Sequence, residues 1–379
     1  HRDLHSFPTR RSSDLQVVVI GGGVVGCSTA YHLTLMGVKD VVLLERRSLT
    51  CGTTWAAAGL MINLRGTKQL AKMTRYGMEL YPQMEALVDQ PTGYVNTGSL
   101  LIATNEERRL EYERYLSICD SYDIAIRRID RDELLQLWPL INADDIIGAY
   151  YMPNDAVVNP VDTAMSMAIG ARKGGARIFE ETEVLDFDLK DGVVRTVKTD
   201  KGDITAECVV LCTGMWSRDL ARKLGVSVPL HATEHMHFIT HPIKGAYKGM
   251  PILRDQDGFL YFREEVGGLL VGAFELEAKP YGTRGVAQDW MFKELPNDME
   301  HLEPLMESAL HRVPALETTE VRHFTTAAES FTPDNLYIMG EAPGLKKFYA
   351  ACGMNSSGIL CGAGVGKKKI GRASCRERV

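Results

Sequence analysis

The chain has 379 residues, of which 45% are apolar and 24% charged, and its formal net charge is −6. This length predicts two domains with a large apolar core, and no apolar run reaches the ~18 residues that a membrane-spanning helix needs. An acidic surface does not attract nucleic acid or anionic lipid, so the charge argues against both as partners.

Both ends of the chain read as foreign sequence. Residues 1–15 and 370–379 resemble translations, from opposite strands, of the adapter oligonucleotides that are ligated to DNA for short-read sequencing. We therefore expect both segments to be artefacts outside the fold, and the native termini to be absent from this chain. These ends hold six of the 43 Lys and Arg residues and three of the 49 Asp and Glu residues, so the remainder carries a net charge of −9.

The segment that follows predicts a dinucleotide-binding unit. β-Branched residues at 17–20 are typical of a buried parallel strand, and a glycine motif of Gly21, Gly23 and Gly26 comes directly after them. In such a motif the first glycine allows a tight turn, the second lets the backbone approach a pyrophosphate, and the third lets the helix pack on the strand. The helix N-terminus then presents N–H groups and a partial positive charge to the phosphates.

A second predicted strand at 41–44 completes this unit and ends at Glu45. An acidic residue at this point accepts hydrogen bonds from the ribose hydroxyls of a bound dinucleotide. Strand, glycine turn, helix, strand and acidic residue thus follow in the order of a dinucleotide-binding βαβ unit. The chain is therefore predicted to bind a dinucleotide.

The remaining elements alternate in a way that predicts two interleaved domains. Helices are predicted at 106–120, from the Asp130 cap through 137, and from the Asn159 cap to Gly174. Three strands joined by tight turns are predicted at 177–189, 193–199 and 204–212. A second strand-rich region at 231–274 is expected to form the layer that faces the substrate.

Four histidines in this second region are separated from one another by even numbers of positions, namely His231, His235, His237 and His241. In a continuous strand they would face one side, and histidines at i and i+2 can share a metal. No acidic or cysteine ligand accompanies the run, however, and prolines on both sides shorten the strand. The sequence therefore predicts no metal site.

The cysteines indicate a reducing compartment. Seven remain of the eight once Cys375 is set aside with the adapter-like end, and none forms a metal-type C-x-x-C pair. An odd number without such spacing is typical of reduced, buried thiols, and it predicts a cytoplasmic protein.

Five sequence blocks together carry a family resemblance. They are the glycine motif, residues 45–59, PILRDQDGFLYFREEVGGLLVGAFE at 251–275, ESFTPDN at 329–335 and GMNSSGI at 353–359. In this order, over nearly all of 16–366, they resemble the flavin amine-oxidising family of dimethylglycine and sarcosine dehydrogenases. The resemblance implies FAD as the cofactor, a choice that the glycine motif alone leaves open.

The resemblance also implies the fold. It is a mixed α/β fold in which a Rossmann-like FAD-binding domain is interleaved with an antiparallel-sheet substrate domain. The first domain would be assembled from 16–95, 151–230 and 320–366, and the second from 96–150 and 231–319. Family members often continue into a C-terminal folate-binding domain that captures the released one-carbon unit, which makes tetrahydrofolate an expected partner of a longer protein.

The residues that contact FAD follow from the same resemblance. They are Gly21, Gly23, Val25, Gly26, Glu45, Arg46, Thr53, Thr54, Trp55, Ala57, Val184, Thr213, Gly214, Trp216, Asn355, Ser356, Ser357, Gly358 and Ile359. Family members commonly tether FAD through a histidine directly after the Thr-Trp pair, and Ala56 stands at that position here. Because alanine has no nucleophile, FAD is expected to be held without a covalent bond at this position.

The implied reaction is the oxidative demethylation of an N-methyl amino acid, with hydride passing from the substrate to flavin N5. His235 matches the active-site histidine of the family, and histidine can change its protonation near neutral pH. Tyr261 matches the active-site tyrosine. Arg254 and Arg263 are candidates to bind the substrate carboxylate, which suits a guanidinium fork.

Two other functions stay open. Some relatives of the family are regulatory subunits of a phosphatase that keep the flavoprotein fold without turnover; Ala56 favours this alternative, whereas His235 and Tyr261 disfavour it. A glycine or D-amino acid oxidase shares the glycine motif but should lack the LYFREEVGGLLVGAFE block. The choice among sarcosine, dimethylglycine and related amines, and between oxygen and an electron-transfer protein as acceptor, is also open.

Overall fold

A computed structural model describes residues 17–374, with side chains through residue 368. The adapter-like segment 1–15 and residues 375–379 lie outside the described residues. The backbone of 370–374 continues the last helix of the described chain.

Strands and helices alternate along the described chain. The strands are β1 (Val17–Ile20), β2 (Val41–Leu44), β3 (Leu60–Met61), β4 (Val95–Asn96), β5 (Ser99–Ala103), β6 (Arg127–Ile129), β7 (Gly148–Met152), β8 (Ala156–Val157), β9 (Arg177–Phe179), β10 (Val184–Lys190), β11 (Val193–Thr199), β12 (Gly202–Thr205), β13 (Cys208–Leu211), β14 (His231–Thr240), β15 (Ile252–Asp255), β16 (Leu260–Glu265), β17 (Gly268–Ala273), β18 (Pro280–Tyr281), β19 (Val321–Phe331), β20 (Ile338–Glu341) and β21 (Phe348–Cys352). The helices are α1 (Val24–Leu35), α2 (Lys68–Leu80), α3 (Met84–Val88), α4 (Glu106–Tyr122), α5 (Arg131–Leu137), α6 (Pro160–Lys173), α7 (Ser217–Arg222), α8 (Met299–Arg312) and α9 (Gly358–Ser374).

A six-stranded sheet in the order β20-β21-β13-β1-β2-β9 forms the first layer. It is parallel except for β20. Alternate residues of β1 enter two different cores: Val17 and Val19 pack with α1, α6 and α9, whereas Val18 and Ile20 pack with the β10-β11-β12 meander and Phe348. Burial on both faces explains why this strand is apolar at every position.

A nine-stranded sheet forms the second layer. Its order is β18-β14-β17-β16-β15-β5-β7-β6, and β19 pairs with β14. Its strands are antiparallel except where β15 runs parallel to β5. On β16 the side chains alternate, because Leu260 and Phe262 enter an apolar core while Tyr261 points to the opposite face. Parallel and antiparallel sheets built from interleaved segments confirm the predicted mixed α/β fold.

Two of the three predicted strands at 177–212 are each split in the structure, so that part of the prediction is wrong. The first becomes β9 and β10, and the third becomes β12 and β13. β9 and β13 join the parallel sheet beside β2 and β1, and only β10, β11 and β12 form a meander. The chain leaves the parallel sheet at a turn in which Glu181 adopts φ 50°, a backbone change that the apolar pattern does not reveal.

Predicted helix caps agree with the structure. The Asp130 side chain accepts a hydrogen bond from Glu133 N at the start of α5, and Asn159 accepts one from Asp162 N at the start of α6. β19 lies within 320–366, the segment assigned to the FAD-binding domain, yet it pairs with β14 along its length. None of the helices in the described chain is long and apolar enough to cross a bilayer.

Candidate active site

A cavity of about 550 Å³ is lined from both sheets. The carboxyl ends of β1, β2 and β13 contribute one wall, as is usual for ligand sites in parallel sheets. β14, β16 and β19 contribute the other, and the start of α9 closes the space between them. The cavity therefore joins the glycine motif to the strand-rich region that the sequence assigned to substrate.

The glycine motif lies at the base of this cavity. Gly21 adopts φ +107°, and an added Cβ there would be 2.5 Å from Cys212 O. A Cβ on Gly26 would be 1.8 Å from Gly21 O, so that α1 can reach the turn only without a side chain at this position. Thr54 Oγ1 accepts a hydrogen bond from Val24 N at 3.0 Å and holds the first turn of α1.

Glu45 ends β2 and lines the cavity. Its carboxylate accepts hydrogen bonds from Gly22 N at 2.7 Å and Arg47 N at 3.0 Å. Burial raises the pKa of this carboxyl, and the two backbone donors oppose that change by stabilising the charged form. The next residue, Arg46, stacks on Trp216 with its guanidinium carbon 4.2 Å from the ring centroid.

The C-terminal block forms the roof. Asn355 Oδ1 accepts a hydrogen bond from Thr332 N at 2.8 Å, which joins the end of β19 to the approach to α9. Ser356 donates a hydrogen bond to Glu329, a carboxylate that lines the cavity. Asn355 and Ser356 both have positive φ, so this turn is tight where it faces the cavity.

Most of the predicted FAD-contacting residues lie on this one cavity. Gly26, Trp55 and Ser357 do not line it. Gly26 faces the Gly21 turn, and Trp55 packs edge-on against Phe292 with centroids 6.1 Å apart. Ala56 does line the cavity, at the position of the family's tethering histidine. The contacts of these residues with FAD stay a prediction.

His235 and Tyr261 stand on the opposite wall. The Tyr261 ring covers Gly272 on β17, where an added Cβ would be 2.0 Å from Tyr261 Cζ. Phe274 touches both predicted residues, with ring centroids 4.9 Å from His235 and 5.9 Å from Tyr261. Burial raises the pKa of Tyr261, which keeps its hydroxyl protonated and available as a donor.

The predicted arginines differ in their partners. Arg263 Nη2 lies 2.6 Å from Glu265 Oε2. Arg254 stands opposite Tyr261 in the β15–β16 register, and its Nη1 is buried without a hydrogen-bond partner among the described residues. Neither arginine lines the cavity.

Sequence reasoning missed Arg65. Its Nη2 donates to Ser357 Oγ at 2.9 Å and to Tyr337 at 3.3 Å, while its Nε is buried without a partner in the described part of the chain. Arg65 is close enough to Arg254 to lower the pKa of that guanidinium, beyond the larger effect of burial. No local signal marks Arg65, because its partners lie almost 300 positions away in the sequence.

Other residues of the cavity were also missed, among them His237, Phe274, Thr325 and Glu329. Parity with His235 could have identified His237, and the ESFTPDN block begins at Glu329. Between residues 17 and 374 no three His, Cys, Asp or Glu side chains are placed to hold a metal ion.

A family model described as FAD dependent oxidoreductase matches residues 16–368. The chain is 39% identical over 355 residues to the mitochondrial pyruvate dehydrogenase phosphatase regulatory subunit of Mus musculus, covering 93% of this chain and 40% of that protein. It is 37% identical over 362 residues to mitochondrial sarcosine dehydrogenase of Mus musculus, covering 94% and 39%. The chain thus spans about 40% of the length of these curated relatives.

The structure of L-proline dehydrogenase from P. horikoshii has the same fold. The TM-score is 0.84 at 22% identity, and the match covers 95% of this chain and 93% of that one.

The residues present fit FAD. Three features face the same cavity: the glycine turn, where an added side chain would fill the space, the N-terminus of α1, and the Glu45 carboxylate at the end of β2. Together they provide the hydrogen-bond donors and the acceptor that a dinucleotide needs.

Replacing Gly23 by Val should remove FAD, because the side chain would occupy the path along which a pyrophosphate approaches the backbone. We expect Gly23→Val protein to lose most of its flavin, measured as the ratio of flavin to protein absorbance. The control is Gly66→Val, at an exposed glycine where an added Cβ meets nothing within 4 Å. Full flavin occupancy in folded Gly23→Val protein would show that this turn does not hold the phosphates.

Proposed function

The chain belongs to the family of FAD-dependent oxidoreductases, and from this premise we propose that it oxidises the N-methyl group of a small amino acid, dimethylglycine-like or sarcosine-like. One observation carries the proposal: His235 and Tyr261 line the same cavity as the glycine motif. Hydrolysis of the oxidised substrate would release the methyl carbon.

FAD would be held by the turn at 21–26, by Glu45 through its ribose, and by the turn before α9. When bound, FAD supplies the acceptor for the hydride that leaves the substrate. Because Ala56 offers no nucleophile, we propose that the cofactor is held by hydrogen bonds and burial alone.

The chain's own side chains would prepare the amine. A substrate amine can lose hydride only when its nitrogen is neutral, since the lone pair must form the new C=N bond. His235 can accept the amine proton, and the Tyr261 hydroxyl can donate a hydrogen bond that orients the substrate. Phe274, which packs against both rings, would keep water from this end of the cavity.

Arg254 and Arg65 are proposed to bind the substrate carboxylate from just outside the cavity lining, which contains neither side chain. Each has a buried N–H group without a partner among the described residues, and leaving such a group unpaired costs free energy. Arg263 Nε is likewise buried without a partner among the described residues, but Arg263 is less suited because Glu265 already pairs with its guanidinium. The register supports this assignment, since Arg254 is the cross-strand neighbour of Tyr261.

A regulatory role is the second candidate. The identity of 39% to a phosphatase regulatory subunit and the alanine at position 56 favour it. The partners of the proposed enzyme are an N-methyl amine and an electron acceptor, which is either oxygen or an electron-transfer protein. In a longer protein, tetrahydrofolate would be a further partner. The cytoplasm is the proposed location, supported by the seven free cysteines of the described chain, although the two relatives named above are mitochondrial.

Acid precipitation should release the flavin. We expect a yellow supernatant and a colourless pellet after denaturation, because Ala56 cannot form the usual covalent link. Absorbance of the washed, redissolved pellet near the flavin maximum measures any tethered cofactor. A pellet that stays yellow would mean that another side chain forms the bond.

Sarcosine or dimethylglycine should bleach the bound flavin in the absence of oxygen. His235→Ala should slow this reduction by about 10²–10³-fold at unchanged FAD content, the range expected for one acid or base group. The control is His241→Ala, an exposed histidine just beyond the same strand. Stopped-flow absorbance measures both rates.

The outcomes separate the two candidate functions. Wild-type protein that carries FAD but is bleached by no N-methyl amine would support the regulatory role. Normal bleaching in His235→Ala would remove only the role given to that side chain.

Arg254→Met should weaken the binding of carboxylate-bearing substrates. We expect the dissociation constant for sarcosine to rise by about 10- to 100-fold, the scale of hydrogen bonds to a charged group, while the limiting reduction rate changes less. Arg263→Met, one strand away, is the matched control. If Arg263→Met raises the dissociation constant more than Arg254→Met does, Arg263 and not Arg254 binds the carboxylate.

A further inference from the structure

A buried carboxylate stands behind the predicted catalytic histidine. Glu275 lies two residues beyond the end of β17, and its Oε2 lies 3.2 Å from His235 Nδ1. Only 7% of the Glu275 side chain is exposed, against 15% for His235. His235 lines the cavity and Glu275 does not, so the histidine and not the carboxylate faces the ligand space.

The segment that carries Glu275 is fixed at its start. Phe274 N donates a hydrogen bond to Phe259 O at 2.9 Å, beyond the last paired residues of the β16–β17 hairpin. The Phe274 ring lies against the His235 ring, with centroids 4.9 Å apart. Backbone and ring contacts thus place the Glu275 carboxylate beside Nδ1.

We propose that Glu275 is a positioning residue that accepts the Nδ1–H of His235, fixes the orientation of the ring and leaves Nε2 as the nitrogen that takes the amine proton. The proposal rests on the function proposed above for His235. It adds a residue that touches neither substrate nor cofactor and acts through the histidine. A carboxylate that fixes one ring nitrogen of a histidine also fixes the tautomer at the other.

Comparison with a neighbouring histidine indicates how the Glu275 carboxylate affects the pKa of His235. His237 lies two residues further along β14 on the same face, also buried and also lining the cavity. Burial, reinforced by the nearby His235, lowers the pKa of His237 to about 3. The pKa of His235 is instead raised: burial lowers it, and the hydrogen bond to Glu275 together with the charges of Glu329 and Glu275 more than reverses that effect.

The charged and titratable groups around His235 come from several elements. Glu275 follows β17, Glu329 is on β19, Tyr261 is on β16, and His237 shares β14. Glu329 accepts a hydrogen bond from Ser356, whereas Glu275 bonds to the histidine itself. Removing the Glu275 charge should therefore change the His235 pKa directly and leave the Ser356 contact in place.

The test compares Glu275→Gln with Glu277→Gln in the FAD-bound protein. Glutamine keeps the size of the side chain and removes its charge, and Glu277 is an exposed carboxylate in the same segment. Histidines labelled with ¹³C at Cε1 give one NMR signal each, ten in all, and the His235 signal is the one missing from His235→Ala. Titrating that signal reads the pKa without requiring turnover.

We expect the His235 pKa in Glu275→Gln to fall by about one pH unit or more, the usual effect of losing a close opposite charge. Flavin reduction should rise with pH as His235 loses its proton, and in Glu275→Gln this rise should move toward acid by the same amount. Glu277→Gln should match the wild type. Glu275→Asp, which keeps the charge, should restore most of the wild-type pKa.

If Glu275→Gln folds, either of two results would overturn the proposal. One is a His235 titration in Glu275→Gln that matches the wild type. The other is an equal fall in Glu277→Gln, which would mean a general effect of net charge. If Glu275→Gln does not fold, a Glu275→Asp protein whose His235 pKa drops as low as that of His237 would also overturn it. Failure of the amine-oxidising function would appear separately, as a flavin that no amine bleaches while the NMR titrations still report the pair.

Discussion

The approach of α1 to the turn after β1 is the contact on which the rest of the site depends. An added Cβ at Gly26 would be 1.8 Å from Gly21 O, so the helix can be this close to the turn only with glycine at position 26, and the φ of +107° at position 21 favours glycine there. This contact brings the helix N-terminus to the carboxyl end of the sheet, where Glu45 bonds to Gly22 N. Backbone packing thereby shapes the turn that we propose holds the phosphates.

The second wall depends on strand alternation. On β14, Met236 and Phe238 are buried among apolar neighbours while His235 and His237 face the cavity, and β19 pairs with the strand over its whole length. Gly272 leaves the space that the Tyr261 ring fills. The pairing of β14 with β17, and of β17 with β16, therefore places the His235 side chain and the Tyr261 ring with its hydroxyl on one wall.

Positively and negatively charged side chains near this wall lie in different places. Arg254 is on β15 and Arg65 lies close to it, neither of them lining the cavity, whereas the carboxylates of Glu275 and Glu329 lie near His235. Burial lowers the pKa of both neighbouring histidines, but the hydrogen bond to Glu275 and the charges of Glu329 and Glu275 more than reverse this effect at His235.

The sequence by itself determined the dinucleotide-binding unit, since strand, glycine turn, helix and Glu45 are contiguous and each follows from local sterics. It also determined the caps of α5 and α6, which depend on residues three positions apart. The division of 177–212 between two sheets, the contact of Arg65 with Ser357 and the pairing of Glu275 with His235 were decided only by the tertiary structure. These features join residues from 40 to almost 300 positions apart, so no local pattern contains them, and their energies depend on burial that only the folded chain creates.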